Sequence, residues 1–349
     1  MNRVAQRFNQ QGPSSAEAWA KLRKLADGDG IINLGQGFPD FVAIPEAIEH
    51  AKRALDQPML NQYAAMGGSL RLKTALSSLY GDLPSREISS SSNDAKEAST
   101  FNPLTEITIT TSGTEAVYCT MQALVNPGDV VLVFEPSFPW YIPAIRLAGG
   151  TPITIELQPP HFSLLQKETK EKVLAAFSGG EGGVVPKIIV CNTPHNPTGH
   201  VLSSLELDLL EELALRHECL VVSDEVYERC LFEGHELISP KNRATLASRT
   251  ITIGSSSKLL SVTGWRVGWC CGAADIVRAI KMSSGYTTFC APAPLQEACA
   301  VVIEESVAKG KKMIFFCASR IYCNGSLLIS LLFFFFDFVF FFFPYSFSR

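Results

Sequence analysis

The 349-residue chain has ten cysteines but no C-x-x-C pair and no Cys/His cluster at metal-ligand spacing. That excludes the common structural zinc sites and leaves the thiols reduced rather than joined in a disulfide framework. Cys270 and Cys271 are adjacent on an expected strand, where their side chains point to opposite faces. No excess of basic charge exists either: the net charge is −4, which points to neither nucleic acid nor an acidic membrane surface. The first residues have no apolar core of a secretory signal. Arg3 and Arg7 precede the first acid, Glu17, a faint transit-peptide pattern. The expected compartment is therefore the cytoplasm, with the mitochondrion as the alternative. Internal repeats are also lacking.

What the chain does have is a series of short runs rich in Val, Ile and Thr: 106–112, 129–134, 151–157, 187–191, 219–223, 249–254 and 266–271. Such runs read as buried strands. Helical stretches over 113–125, 165–177 and 204–217 lie between several of them; in the last, Leu205, Leu209, Leu210 and Leu213 recur at helical spacing. Strand alternating with helix predicts an α/β fold with a mostly parallel sheet covered on both faces. Residues 85–103 are polar and Ser-rich, as a solvated insertion would be, and 179–183 is a Gly-rich loop.

One segment breaks the pattern. Between Leu327 and Phe347, ten of 21 residues are Phe, interrupted by Asp337 and followed by Pro344 and Tyr345 within the run. A membrane anchor would bury Asp337 at a cost of about 2.5–3.5 kcal/mol. A core helix would not carry so many bulky aromatics in succession. The expected reading is a translated pyrimidine tract, from a retained intron or a gene-model error beginning near Gly310, rather than a membrane anchor.

Several motifs follow the expected strands. Ser112-Gly113-Thr114-Glu115 opens a helix, whose free N–H groups suit a phosphate, although the same four residues make an ordinary helix cap. In Glu135-Pro136-Ser137-Phe138-Pro139-Trp140-Tyr141, Phe138 is placed to stack on a planar ring, or simply to fill core. Asn192-Thr193-Pro194-His195-Asn196-Pro197-Thr198-Gly199 is a proline-stiffened loop presenting the Asn196 amide, with His195 as a spacer. Ser223-Asp224-Glu225-Val226-Tyr227 offers a carboxylate that can keep a pyridine nitrogen protonated, with Tyr227 in reach of a ring oxygen. Ile253-Gly254-Ser255-Ser256-Ser257-Lys258, with Arg266 following, places a candidate Schiff-base lysine among phosphate donors. Ligands of open parallel sheets bind at the carboxyl ends of the strands, where all of these motifs fall. Together they describe a site for pyridoxal 5′-phosphate.

With Asn33-Leu34-Gly35-Gln36-Gly37-Phe38-Pro39-Asp40, Gln62-Tyr63 and Thr263-Gly264-Trp265-Arg266-Val267-Gly268, these motifs resemble class I aminotransferases of the pyridoxal-phosphate fold type I, specifically the kynurenine/glutamine/methionine aminotransferase and cysteine-S-conjugate β-lyase group. The resemblance spans about residues 15–309. It implies a large domain over 46–290 with a seven-stranded sheet, an N-terminal arm and part of the small domain over 1–45, the start of an incomplete small domain over 291–312, and an atypical tail over 313–349. It implies that Lys258 binds the cofactor covalently and shuttles a proton, with Asp224 on the ring nitrogen and Asn196 and Tyr227 on the 3-oxygen. Phe138 stacks on the ring, and Gly113, Thr114, Ser255 and Arg266 hold the phosphate. Tyr63 reaches the phosphate of a second subunit in a homodimer, and Gly37 and Asn196 face the substrate. No metal is implied. The expected activity is transfer of an amino group from an aromatic, kynurenine, glutamine or methionine-type amino acid to a 2-oxo acid. Two alternatives are β-elimination at the same site and a cofactor-binding product with impaired catalysis. The second alternative arises because neither Arg320 nor Arg349 lies in a recognisable carboxylate-binding motif.

Overall fold

A computed structural model describes residues 44–81, 100–179, 184–232 and 235–310, with Ala5, Ala20, Lys21, Lys24, Leu25 and Gly37 besides. The expected N-terminal arm apart from those residues, most of the polar insertion and the whole Phe-rich tail lie outside the described residues.

Seven strands form where β-branched runs were expected: β1 (Ile107–Thr110), β2 (Val130–Glu135), β3 (Thr151–Glu156), β4 (Ile188–Asn192), β5 (Leu220–Asp224), β6 (Thr250–Ser255) and β7 (Gly268–Cys271). They make one sheet in the order β1-β7-β6-β5-β4-β2-β3. All neighbours are parallel except β7, which runs against both β1 and β6. Interior strands are apolar on both sides because both faces are covered. Val131 and Val133 of β2 join one core layer, while Leu132 and Phe134 join the opposite one. The adjacent thiols divide in the same way, Cys270 into one layer and Cys271 into the other. β3 lies at the sheet's edge, where Pro152 withholds no ladder donor that a neighbour needs.

Nine helices are described: α1 (Pro45–Leu55), α2 (Leu70–Tyr80), α3 (Gly113–Leu124), α4 (Tyr141–Leu147), α5 (Lys167–Ala176), α6 (Ser204–Arg216), α7 (Ser256–Leu259), α8 (Ala274–Gly285) and α9 (Ala293–Ala308). α3, α5 and α6 match the expected stretches to within two residues. α6 begins with a capping box in which Ser203 and Glu206 satisfy each other's backbone N–H. Of its expected stripe, Leu209, Leu210 and Leu213 are buried, whereas Leu205 is exposed. α9 shares a core with α2, β1 and β7, through Val302 and Ile303 against Leu72, Ile109 and Trp269.

The last strand starts two residues later than its sequence suggests. Arg266 has φ of +54°, which takes it out of the extended ladder. Gly268 then follows where a Cβ would sit 2.3 Å from the Ser112 carbonyl carbon, so the start of β7 passes directly against the start of α3.

Candidate active site

The carboxyl ends of β1, β2, β4, β5 and β6 open onto one edge of the sheet. Because β7 is reversed, its beginning opens there as well; Gly268 lies opposite both Thr110 and Ser255. Arg266, which precedes its strand, therefore reaches the same edge as residues that follow theirs.

Asp224 ends β5 and is 5 % exposed. One carboxylate oxygen accepts the Tyr141 hydroxyl at 2.6 Å and the other accepts the Val226 N–H at 3.1 Å. Burial pushes the carboxyl up to about 6, against the pull of these two bonds, and the neighbouring Glu225 adds to the rise. Among the described residues no cationic side chain pairs with it. The Tyr227 hydroxyl is also buried and is pushed upward by burial and then by the nearby Cys230 and Asp224, so it stays a proton donor. Asn192 lies opposite Asp224 in the ladder and donates from its amide to the Asp224 carbonyl at 2.9 Å.

Lys258 lies in the short helix α7 that follows β6. Its Nζ is 5.5 Å from the Tyr227 ring centroid and donates to the Gly37 carbonyl. Burial lowers its pKa, which raises the share of free amine near neutrality. Ser255 caps α7, accepting from the Ser257 N–H at 3.1 Å and lying 2.9 Å from the Ser257 hydroxyl. At Gly113, the first residue of α3, a Cβ would come within 3.1 Å of Val226 and 3.6 Å of Ser255. The helix start, the Ser255 loop and the turn after Asp224 thus converge on one small region. Thr114 is half-buried in the first turn of α3.

The remaining expected residues are placed as follows. Phe138 is half-buried, stacked on Trp140 at 4.9 Å and edge-on to Tyr141 at 5.5 Å. The Asn196 N–H donates to the Asn192 side chain at 2.6 Å. Arg266 is exposed and donates to the Thr263 carbonyl at 3.1 Å. Tyr63 is 88 % exposed, with its ring edge-on to Phe289 at 5.5 Å. His195 is buried; burial first, then His200, pushes its imidazole down to about 3, so it is neutral, bonded to Thr198 at 2.7 Å. That is a structural contact, in keeping with a spacer.

The Asn192–His200 loop is tied down by Glu206 of α6. Its carboxylate accepts Ser163 at 2.7 Å, Leu164 N–H at 2.8 Å, Ser203 N–H at 2.8 Å and His200 at 2.9 Å. Burial alone would raise this carboxyl, but His200 and Ser203 outweigh it and hold it down to about 2. A depressed carboxyl stabilises the fold above its unfolded value and loses that contribution as pH falls from about 4.3 towards 2. Glu206→Gln is expected to cost about 1–3 kcal/mol at pH 7 and to flatten acid unfolding in that window. Urea titrations at pH 7 and pH 3 check it; an equal deficit at both would refute the assignment.

Sequence reasoning missed the roles of Tyr141 and Asn192 beside Asp224. Tyr141 was visible three residues after Phe138, one helical turn on, but nothing in the sequence distinguished a ligand of Asp224 from core.

Residues 29–319 match the family Aminotransferase class I and II, and the chain belongs to that family. It is 35 % identical over 84 % of its length to a kynurenine–oxoglutarate transaminase of Dictyostelium discoideum, covering 66 % of that protein. It is 34 % identical to human kynurenine–oxoglutarate transaminase 1 over 82 % of its length, covering 65 %. The chain thus spans somewhat under two thirds of these relatives. Among solved structures it is similar to N-succinyldiaminopimelate aminotransferase from Mycobacterium tuberculosis, with a TM-score of 0.79 and 28 % identity over 94 % of this chain and 78 % of that one. An Escherichia coli protein with a methionine aminotransferase function gives a TM-score of 0.75 and 30 % identity, over 93 % and 78 %. The fold is that of the type I pyridoxal-phosphate enzymes, and the family's cofactor is pyridoxal 5′-phosphate.

The residues present fit that group. A buried carboxylate that no cation pairs with among the described residues suits a protonated ring nitrogen. A helix start, two serine hydroxyls and a guanidinium at the same sheet edge suit a phosphate.

Proposed function

We propose that this chain is a pyridoxal-phosphate-dependent aminotransferase that moves an amino group from an amino acid to a 2-oxo acid. The observation that supports it most is the meeting of Asp224, Tyr227 and Lys258 at one sheet edge, drawn from two different strand ends. Names of the relatives favour a kynurenine-type donor with 2-oxoglutarate as acceptor.

When bound, the cofactor supplies an electron sink for the carbanion formed at the amino acid's Cα. The chain's own residues do the rest. Asp224 would hold the ring-nitrogen proton through a carboxylate that Tyr141 and Val226 N–H keep oriented. Lys258 Nζ, whose pKa burial lowers, would be the nucleophile that holds the cofactor and the base placed to take the proton from Cα. Tyr227 and Asn196 would donate to the ring's oxygen, Phe138 would pack on its face, and Gly113, Thr114, Ser255 and Arg266 would hold the phosphate. Gly37, whose carbonyl already meets Lys258 Nζ, borders the substrate.

The same reading includes a homodimer. Met59 at 80 %, Tyr63 at 88 % and Tyr286 at 83 % exposed are large apolar side chains left open, and Tyr63 touches Phe289 beside Tyr286. A second copy covering them would bring Tyr63 to its partner's site.

The test is an assay of the protein loaded with pyridoxal phosphate, given kynurenine and 2-oxoglutarate, with its mass measured by light scattering. Glutamate formation by a species of twice the chain mass is expected. Pyruvate and ammonia from a cysteine conjugate without any oxo acid would instead establish the lyase. A protein that binds no cofactor would refute both.

A further inference from the structure

Next to Asp224 in the chain begins a set of buried charges that the chemistry above does not use. Glu225 is fully buried; its carboxylate accepts Ser223 at 2.8 Å, the Ser239 hydroxyl, and Lys241 Nζ at 2.5 Å. Lys241 is itself almost fully buried, 4 % exposed in its side chain, and also donates to Ser239 at 3.0 Å. Its Nζ sits 5.0 Å from the centroid of the Tyr80 ring. Tyr80 in turn donates to Glu228 at 3.0 Å and accepts the Trp269 indole N–H at 2.9 Å.

Asp224 and Glu225 are thus consecutive buried carboxylates with opposite tasks. Asp224 has to remain an anion with no protein cation, so that it can meet the charged ring of the cofactor. Glu225 has to remain an anion without burdening its neighbour, since two uncompensated charges so close in a low dielectric drive one of them to take up a proton. An ammonium locked onto Glu225 alone meets both demands. The pair also sets geometry. The turn from Asp224 to Cys230 is closed by Glu228 N–H to Glu225 at 2.8 Å and Cys230 N–H to Tyr227 at 2.7 Å. Lys241 ties the first of these residues to the turn at Pro240–Asn242.

We propose that Lys241 is a positioning residue for the cofactor site: its ion pair with Glu225 offsets the buried charge beside Asp224 and fixes the Asp224–Tyr227 turn. The inference rests on Asp224 being the cofactor's anchor. Other ionisable groups facing the pair are Glu228 and Arg229 on the same turn, Tyr80 from α2, Cys271 from β7 and Cys191 from β4. The two thiols and the phenol are pushed upward by burial and are neutral near pH 7. Glu228 faces Lys241 as well and is present in all four proteins compared below.

An electrostatic role has a signature that a packing role lacks. Removing the cation in Lys241→Met raises the pKa of a nearby acid, and removing the anion in Glu225→Gln lowers it. The dissociation constant of pyridoxal phosphate is therefore measured from pH 5 to 8, by fluorescence quenching of the cofactor-free protein, for wild type, both variants and the double variant. Titration of the cofactor's own groups is common to all four proteins. In wild type the affinity weakens at low pH as Asp224 is protonated. The midpoint is expected to rise by roughly half a pH unit or more in Lys241→Met, to fall by a similar amount in Glu225→Gln, and to return towards wild type in the double variant. Affinity at pH 7 drops about tenfold in Lys241→Met. Both midpoints moving the same way, or neither moving, would overturn the proposal. If Lys241→Met does not fold, an unmoved midpoint in Glu225→Gln overturns it equally well. A wild-type protein that binds no pyridoxal phosphate at any pH would instead remove the reading of Asp224 on which the proposal rests.

Discussion

Asp224→Asn is expected to weaken pyridoxal phosphate binding by roughly 10²–10³-fold while making the cofactor-free chain more stable above pH 6. The first effect follows from removing one partner of a buried charge pair, which costs about 3–5 kcal/mol. The second follows from burial. In the cofactor-free fold this carboxyl is pushed up to about 6, above the usual value near 3.9 for an unfolded aspartate. Between those values the native state holds a proton that the unfolded state releases. Stability therefore falls as pH rises from about 4 through 6, and levels off once both states are ionised. Asparagine mimics the protonated side chain and avoids that loss, a gain of up to about 3 kcal/mol above pH 6 that vanishes near pH 4. Urea unfolding of the cofactor-free proteins at pH 4 and pH 7.5 measures it. A loss of stability in Asp224→Asn at both pH values would contradict the upward shift that burial imposes on this carboxyl.

Lys258→Ala should abolish the covalent attachment entirely. Borohydride treatment of the wild type with pyridoxal phosphate is expected to leave a reduced adduct on the peptide carrying Lys258, found by mass mapping, and the variant should carry none. Turnover should drop by at least ~10²–10⁴-fold, the usual contribution of a positioned acid–base group. Arginine at this position should not restore it, because a guanidinium stays protonated and cannot attack an aldehyde. An adduct on another lysine in the wild type would overturn the role of Lys258.

The sheet was readable because its strands are apolar on both faces and flanked by turn residues. All seven appear where β-branched runs predicted them, from Ile107–Thr110 to Gly268–Cys271. The site was readable because its residues cluster at strand ends, and position along a strand is what sequence encodes most directly. Less was readable in α1, α2, α8 and α9. In α1 the core-facing residues Ala47, Ala51 and Ala54 are small, whereas α2 and α8 bury Leu76, Leu79, Ile276 and Ile280 on faces the sequence reading did not take up. The reversal of β7 was hidden, since direction is set by the connecting loop rather than by the residues of the strand. Lys241 was hidden too. Sixteen residues separate it from Glu225, and a buried lysine looks in sequence like any solvated one. Tyr141 and Arg266 show both sides of this: Tyr141 turned out to bond Asp224, and Arg266 holds a left-handed backbone that no neighbouring glycine announced.

The inverted strand has a mechanical corollary. Since β6 and β7 are antiparallel neighbours with Ser255 opposite Gly268, everything from Ser256 to Val267 is a single hairpin loop whose two stems are zipped together. Lys258 sits near one stem and Arg266 near the other. A shift of outlying helices cannot stretch the span between them, because both ride on the same clasp.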